Sequence, residues 1–165
     1  MIWKDYQKEI PDDKYFYVRS CIRQNMFPAS EHYFLKIMRE DLGKDVFETE
    51  HHTTCGGIGY HCDVIKIETI MSIVARQFAL MTEAGYRNYA VSCITSFGLY
   101  TEIIHTWHTF PEILENTRRQ LKQATGREFE IPEHVAHASD IIFKLRHEIA
   151  AKAKYKLVDK KTGRP

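Results

Sequence analysis

The sequence predicts an α/β fold, a Rossmann-like parallel sheet of about four strands flanked by helices. Two observations support this class. Short aromatic and β-branched segments alternate with longer segments whose apolar residues recur at helical spacing. The 165 residues suffice for one domain with a substantial core, and the content of 44% hydrophobic and 27% charged residues is typical of globular proteins. Alternating strands and helices imply a parallel sheet that is covered on both faces.

Four short segments are predicted to be strands. The first, residues 14–20, is rich in aromatic and β-branched side chains. The others are residues 45–49, 87–92 and 128–131. Residues 1–13 are polar and are interpreted as an N-terminal arm, residues 14–154 as a single cysteine-rich domain, and residues 155–165 as a basic C-terminal tail.

The helices follow from apolar periodicity and end signals. Residues 22–28 are expected to form a loop, and Ser30 is expected to cap a helix over residues 31–42 that ends at Gly43. Asp63 is predicted to cap a largely buried helix over residues 64–84. Further helices are predicted for residues 97–107, 112–125 and 133–154.

The charge balance limits the partners that we expect. A formal net charge of +1 and the lack of a basic block interleaved with aromatics argue against a nucleic-acid partner. The best apolar run is interrupted by Lys66, Glu68 and Arg76, so no membrane span is expected. The amino terminus lacks the pattern of a secretory signal, which predicts a cytoplasmic protein whose four cysteines are reduced.

The segment of residues 51–63, HHTTCGGIGYHCD, carries two thiols, three imidazoles and three glycines. Thiolates can bind a soft metal or an iron–sulfur cluster, and glycines let the main chain bend closely around one. An ordinary glycine-rich connection is the alternative interpretation of this segment alone.

Cysteines follow the first three predicted strands. They are Cys21, Cys55 and Cys93, and they are separated by 34 and 38 positions. Because the carboxyl ends of parallel strands meet at one edge of a sheet, these three thiols are predicted to converge there. Cys62 lies seven positions after Cys55, near enough to join them.

Three motifs carry a resemblance to a known family. Cys21 precedes Phe27-Pro28, the second cysteine stands in Thr54-Cys55-Gly56-Gly57, and the third begins Cys93-Ile94-Thr95-Ser96. With these motifs, residues 15–149 resemble the cysteine-rich CCG domain of the heterodisulfide reductase B-subunit family, in a single and partly degenerate copy. Members of that family hold a non-cubane iron–sulfur cluster on five thiolates and cleave disulfides at it.

Two positions depart from the family pattern. Thr54 and Ser96 stand where the resemblance implies cysteines, so the five-thiolate cluster cannot be built within this chain as the family builds it. Three smaller possibilities follow from the resemblance. The first is an iron–sulfur cluster, with the 4Fe-4S type favoured, whose ligands would be Cys21, Cys55, Cys93 and Cys62, with Ser96 as an additional ligand. The second is a zinc ion, whose ligands would be the three matched thiolates and one imidazole, either His61 or His52. The third possibility is a degenerate domain that binds nothing.

The resemblance implies a redox subunit of a heterodisulfide-reductase-like complex, which takes part in electron transfer to a thiol/disulfide substrate. Its expected partners are other subunits, including a second chain with a CCG domain, because the family's B subunit carries two such domains in tandem. The chain is therefore expected to be a half-length subunit or a fragment. The alternative is a non-catalytic structural subunit with a zinc site or an empty site.

Two histidine pairs are further candidates. His134 and His137 are spaced for one face of a helix, and surface positions are the preferred interpretation. His105 and His108 follow Cys93 at the same mutual spacing, and surface positions are again the preferred interpretation, with a supporting role around a metal as the alternative.

Overall fold

The structure is a computed structural model that describes residues 9–11, 13–153 and 162. Within these residues it contains a four-stranded parallel sheet flanked by helices, which confirms the predicted α/β class. The strands are β1 (Lys14–Val18), β2 (Asp45–Phe47), β3 (Asn88–Val91) and β4 (His134–His137). Their order across the sheet is β2-β1-β3-β4.

The strand order reverses between β1 and β3. From β1 the chain passes to β2 on one side, and β3 then pairs with the opposite side of β1. In the registers, Val18 is paired with Val91, and Val91 with His137. Open α/β sheets bind ligands outside the carboxyl ends of their strands at such a reversal.

Eight α-helices connect and cover the strands within the described residues. They are α1 (Cys21–Met26), α2 (Pro28–Lys36), α3 (Gly57–His61), α4 (Ile67–Glu83), α5 (Ile94–Thr109), α6 (Pro111–Thr125), α7 (Ala138–Lys144) and α8 (Arg146–Lys152). A π-helical segment, Ile37–Asp41, directly continues α2.

The sheet has an apolar layer on each face. Consecutive side chains of a strand point to opposite faces, so Phe16 packs with α4 and α5, whereas Tyr15 and Tyr17 pack with α2 and α7. All three aromatic side chains are completely buried. Burying one such side chain contributes about 2 to 3 kcal/mol, so β1 anchors both layers.

The predicted fourth strand was wrong. Residues 128–131 form no strand, and β4 instead comprises His134–His137, which pairs with β3. Phe129 is buried against Trp107, with ring centroids 5.2 Å apart, so its side chain fills the core without joining the sheet. The apolar residues of 128–131 suggested a strand because a local pattern does not distinguish core packing from sheet pairing.

Helix boundaries near the amino-terminal half also differ from the prediction. The segment expected to be a loop contains α1, whose N-cap is Ser20. Pro28, at the first position of α2, replaces Ser30 as the start of that helix, since its fixed φ suits this position. Asp63 does not cap α4, because its φ is +56° and the helix begins only at Ile67, after the N-cap Lys66.

Two later helices were also placed differently. Helix α5 begins at Ile94, three residues earlier than predicted, with Cys93 as its N-cap. The long helix predicted for residues 133–154 is replaced by β4, α7 and α8, and Leu145 separates the two helices.

Part of the predicted termini is not covered by the structure. Residues 1–8 and 12 of the proposed arm, residue 154, and every residue of the proposed tail except 162 lie outside the described residues. Ile10, which is described, is 2% exposed and packs in the apolar layer with α2 and α7.

Candidate functional site

The candidate site lies at the carboxyl ends of β1 and β3, where the strand order reverses. Cys21 begins α1 just after β1, and Cys93 immediately precedes α5 just after β3. Both side chains are half-buried free thiols. We call this region, with Cys21, Cys93 and the neighbouring Cys55, the thiol edge.

The pKa of Cys93 is lowered from that of an ordinary thiol. Burial by itself raises this pKa, but hydrogen bonds from the backbone amide of Ser96 and the hydroxyl of Ser20 outweigh that effect, as do those from Thr95. The amides belong to the first turn of α5, where the helix dipole also favours negative charge. Cys93 is therefore a partly exposed cysteine that favours the thiolate form.

Cys55 is held more tightly. Its side chain is 9% exposed, and its sulfur lies 3.1 Å from the Oγ of Ser96. The amide of Gly57 donates to the same sulfur at 3.3 Å. Gly56 caps α3 with a φ of +73°, a conformation that L side chains rarely adopt. The glycines thus let the chain fold Cys55 against the first turn of α5.

The three thiols share one buried neighbour, Tyr100 of α5. Burial raises the pKa of Tyr100 most, and its electrostatic interactions with Cys55 and, to a smaller extent, with Cys21 and Cys93 raise it further, whereas a hydrogen bond with Tyr89 lowers it. Cys21 and Cys93 follow the neighbouring strands β1 and β3, and Cys55 contacts Ser96 in the first turn of the helix that Cys93 caps. The structure therefore brings Cys21, Cys55 and Cys93 to the same region of the molecule.

Cys62 and His61 lie at the far end of α3 from Cys55. Cys62 is the C-cap of this helix, whereas Cys55 precedes its N-cap. Five residues of helix span about 8 Å. Cys62 and His61 are both exposed. His52 has its Nδ1 2.6 Å from the carbonyl oxygen of Thr49, to which it donates.

A metal or cluster does not fit the donor set as it stands. Within residues 9–11, 13–153 and 162, no group of three or more His, Cys, Asp or Glu side chains is arranged to hold a metal ion. Zinc and iron–sulfur clusters both need ligands that converge on one point. Here the Cys55 sulfur is engaged by Ser96, and Cys62 is exposed at the opposite end of α3.

The sequence reasoning missed Glu31, which lies under the thiol edge. Its side chain is 4% exposed, and its Oε1 accepts hydrogen bonds from the Ser20 amide at 2.7 Å and the Ser92 hydroxyl at 2.7 Å. Tyr17 donates to the same oxygen at 3.1 Å. A serine immediately precedes both Cys21 and Cys93, and this repeated Ser-Cys pair was the sequence signal available.

His137 was also placed wrongly by the sequence, because it ends β4 and does not lie on a helix face with His134. Its Nδ1 accepts from the Ser139 amide at 3.2 Å, so the proton of the neutral ring resides on Nε2. Nε2 is 3.1 Å from the Ser92 carbonyl oxygen, to which it donates. Burial lowers the pKa of His137, and the charge of Arg23 lowers it further, although Asp140 and the Ser92 carbonyl raise it.

A cavity of about 520 Å³ opens beside Cys93. The residues that line it include Ile22, Arg23, Phe27, Cys93, Ile94 and His137. Its walls are mainly apolar, with one guanidinium and one imidazole, so a small organic group has room to approach the thiol.

His105 and His108 are far from the thiol edge. They lie in the C-terminal half of α5. At the rise of an α-helix, His105 is about 18 Å along the axis from Cys93. Both side chains are exposed, as the preferred interpretation has it, and the alternative of a supporting role around a metal at the thiol edge does not fit their position.

Comparison with known proteins finds a sequence relative and a structural neighbour. No protein-family model matches the chain. Over 92 residues, 56% of this chain, the sequence is 30% identical to the B subunit of the ferredoxin:CoB-CoM heterodisulfide reductase of Methanosarcina acetivorans, and the match covers 29% of that protein. The chain thus matches less than a third of the length of this curated relative.

The structural neighbour shares the fold. It is a crystal structure of a hypothetical protein from Helicobacter pylori, with a TM-score of 0.62 and 15% identity, covering 85% of this chain and 30% of that one. Among the described residues, every helix is too short or too polar to cross a lipid bilayer. The partial sequence match supports a relationship of this chain to the B subunit of heterodisulfide reductase, and the structural neighbour supports the fold alone.

Proposed function

We propose that this chain is a subunit of a redox complex similar to heterodisulfide reductase and acts on a thiol/disulfide substrate. The observation that carries the proposal is Cys93, a half-buried thiol with a lowered pKa, at the start of α5 and beside an open cavity. The partial similarity to a heterodisulfide reductase subunit agrees with this chemistry. The expected partners are other subunits of the complex, including a second chain with a CCG domain.

The proposed reaction begins at the Cys93 sulfur. The thiolate attacks one sulfur of a substrate disulfide, so that a Cys93–substrate disulfide forms and the other half of the substrate leaves as a thiolate. The released substrate thiolate then takes a proton from solvent. A cysteine at the edge of the cavity is suited to this step because the thiolate is the reactive form.

Cys21 is assigned as the resolving thiol. After loss of its proton it attacks the Cys93 sulfur, which releases the second substrate thiol and leaves a Cys21–Cys93 disulfide. β1 and β3 are neighbours, and the cysteines lie three and two residues beyond the registered pair Val18 and Val91. Two electrons and two protons from a reduced electron-transfer subunit restore both thiols.

A site that contains a metal is the alternative to this thiol chemistry. The resemblance implies an iron–sulfur cluster, of the 4Fe-4S type, or zinc on Cys21, Cys55 and Cys93. Among the described residues, no three such ligands are grouped to hold a metal ion, so the proposed reaction uses the thiols alone. A structural subunit with an empty site is the second candidate, and the same observation favours it.

The test uses the reduced full chain, purified anaerobically, and a small aromatic disulfide as the substrate. We expect rapid thiol release, a mixed disulfide on the Cys93 peptide in Cys21→Ala, and a Cys21–Cys93 disulfide in the unaltered chain, each identified by mass spectrometry. Cys93→Ala should abolish the rapid phase. Cys62→Ala is the matched control and should retain it, since Cys62 is exposed at the far end of α3.

Three results would contradict the proposal. Thiol release that persists in Cys93→Ala and disappears in Cys62→Ala would place the reaction outside the thiol edge. Iron or zinc bound stoichiometrically and lost in Cys93→Ala would favour the metal-containing alternative. A metal-free chain that exchanges no thiols would favour the structural subunit.

A further inference from the structure

One carboxylate oxygen of Glu31 hydrogen-bonds both Ser20 and Ser92. These serines immediately precede Cys21 and Cys93 at the ends of β1 and β3. Oε1 of Glu31 accepts from the Ser20 amide, next to Cys21, and from the Ser92 hydroxyl, next to Cys93, each at 2.7 Å. Ser20 and Ser92 are separated from Glu31 by 11 and 61 positions. Glu31 therefore bridges the carboxyl ends of β1 and β3 from its place in α2.

The burial of this carboxylate requires an explanation. Glu31 is 4% exposed, although a buried carboxylate is costly unless hydrogen bonds replace its hydration. Three donors supply that replacement, because Tyr17 completes the set at 3.1 Å. Two of the three donors belong to the residues that precede Cys21 and Cys93, so the hydrogen bonds of Glu31 fix the backbone next to both cysteines.

The contacts of Ser20 connect the carboxylate to the reactive sulfur. The Ser20 amide donates to Glu31, and the Ser20 hydroxyl accepts from the Arg23 amide at 3.4 Å. The same hydroxyl is one of the groups that lower the pKa of the Cys93 thiol. On the other side, the Ser92 carbonyl accepts from His137. A displacement of Glu31 would therefore be transmitted to the donor of the Cys93 thiol and to the residue before it.

We infer that Glu31 is a positioning residue that holds Cys21 and Cys93 in the arrangement needed for thiol/disulfide exchange. This inference rests on the proposed function of the two cysteines. Glu31 takes no part in the chemistry itself, since its contacts are to Ser20, Ser92 and Tyr17 rather than to a sulfur.

Two substitutions of Glu31 distinguish a positioning role of its side chain from an effect of its negative charge. Glu31→Gln keeps the side-chain length and the acceptor oxygen but removes the charge. Glu31→Asp keeps the charge but withdraws the oxygen by one methylene, so it cannot reach Ser20 and Ser92 together. The measurement is the alkylation rate of Cys93 at a fixed neutral pH in the reduced, chelator-treated full chain, peptide by peptide, with Cys62 as the internal reference.

If Glu31 positions the cysteines, alkylation of Cys93 should be slower in Glu31→Asp by about threefold or more relative to Cys62, because the Ser20 donor to the thiolate is displaced. Glu31→Gln should remain close to the unaltered chain. The opposite pattern, a faster Cys93 in Glu31→Gln and no change in Glu31→Asp, would mean that Glu31 acts only through its negative charge. Unchanged rates in both variants would overturn the inference.

A second variant covers the case in which Glu31→Asp does not fold. Ser92→Ala detaches the residue before Cys93 from the carboxylate while the charge remains, and we expect it to slow Cys93 in the same direction; an unchanged rate would overturn the inference. A failure of the proposed function itself would be visible in the unaltered chain, independently of these variants. In that case Cys93 of the unaltered chain would be no more reactive than Cys62 and would form no mixed disulfide.

Discussion

The sulfur of Cys55 and the Oγ of Ser96 lie 3.1 Å apart and are 41 positions apart in the chain. This contact joins the glycine-rich segment to the first turn of α5, whose N-cap is Cys93. The two groups are buried, so each satisfies the other's hydrogen-bonding capacity. The placement of Cys55 and the start of α5 are thereby linked.

Ser96→Ala is expected to lower the free energy of unfolding by about 0.5 to 1.5 kcal/mol, the usual net contribution of a hydrogen bond. The measurement is urea unfolding of both proteins. Ser72→Ala is the control, because Ser72 is more exposed and its hydroxyl donates only to the Glu68 carbonyl in its own helix. Equal effects of the two substitutions would show that the Cys55 contact does not stabilise the fold.

Gly57→Ala is expected to destabilise the protein by about 1 to 3 kcal/mol, the usual cost of overpacking. An added Cβ would lie 3.2 Å from the Cγ2 of Thr95 and 3.3 Å from the Cys55 sulfur. Gly98→Ala is the matched control, since its Cβ would meet no heavy atom within 4 Å and it lies in α5. There, alanine should stabilise the helix by about 0.5 to 1 kcal/mol. The same sign in both variants would contradict this packing.

Cys93 should react with an alkylating reagent at lower pH than an ordinary thiol. Although burial raises its pKa, the hydrogen bonds from Ser96, Ser20 and Thr95 lower it overall. Ser20→Ala removes one of these donors, so the pH profile of alkylation should move to higher pH. Ser72→Ala should leave it unchanged. A profile that is unaltered in Ser20→Ala would show that this hydroxyl does not stabilise the thiolate.

The same shift has a consequence for stability. The folded-state pKa of Cys93 is lower than that of the unfolded chain, so ionisation of the thiol stabilises the fold. That contribution is present above the unfolded pKa and is lost as the pH falls through the folded pKa. It should be missing from the pH dependence of unfolding in Cys93→Ala.

His137 should make the fold less stable in mild acid. Burial lowers the pKa of its imidazole, so the unfolded chain binds the proton more readily. Stability should therefore fall as the pH drops below about 6.5 and level off below the folded-state pKa. His137→Asn should remove this part of the dependence while keeping an N-cap for α7. The measurement is the urea midpoint between about pH 8 and pH 5.

The exposed His108 offers a control for that measurement. His108→Asn should retain the pH dependence of the unaltered chain. If His137→Asn retained it as well, the contacts of Nδ1 with Ser139 and of Nε2 with the Ser92 carbonyl would not depend on the charge of the ring.

The alternation of apolar patterns in the sequence predicted the α/β class because strand and helix periodicities are local properties. The same locality explains the wrong fourth strand. Phe129 and Ile131 resemble strand residues, but β4 is selected by pairing of residues 134–137 with β3. Whether a segment joins a sheet depends on the edge that another strand leaves open.

Sequence by itself determined that a cysteine follows each of the first three strands, because strand order along the chain and the positions of Cys21, Cys55 and Cys93 are written in it. Only the tertiary structure decided what surrounds each thiol. It placed Cys62 at the far end of α3, Ser96 against Cys55, and Glu31 beneath the ends of β1 and β3. These are hydrogen bonds between distant parts of the chain, and their partners meet only after the helices pack on the sheet.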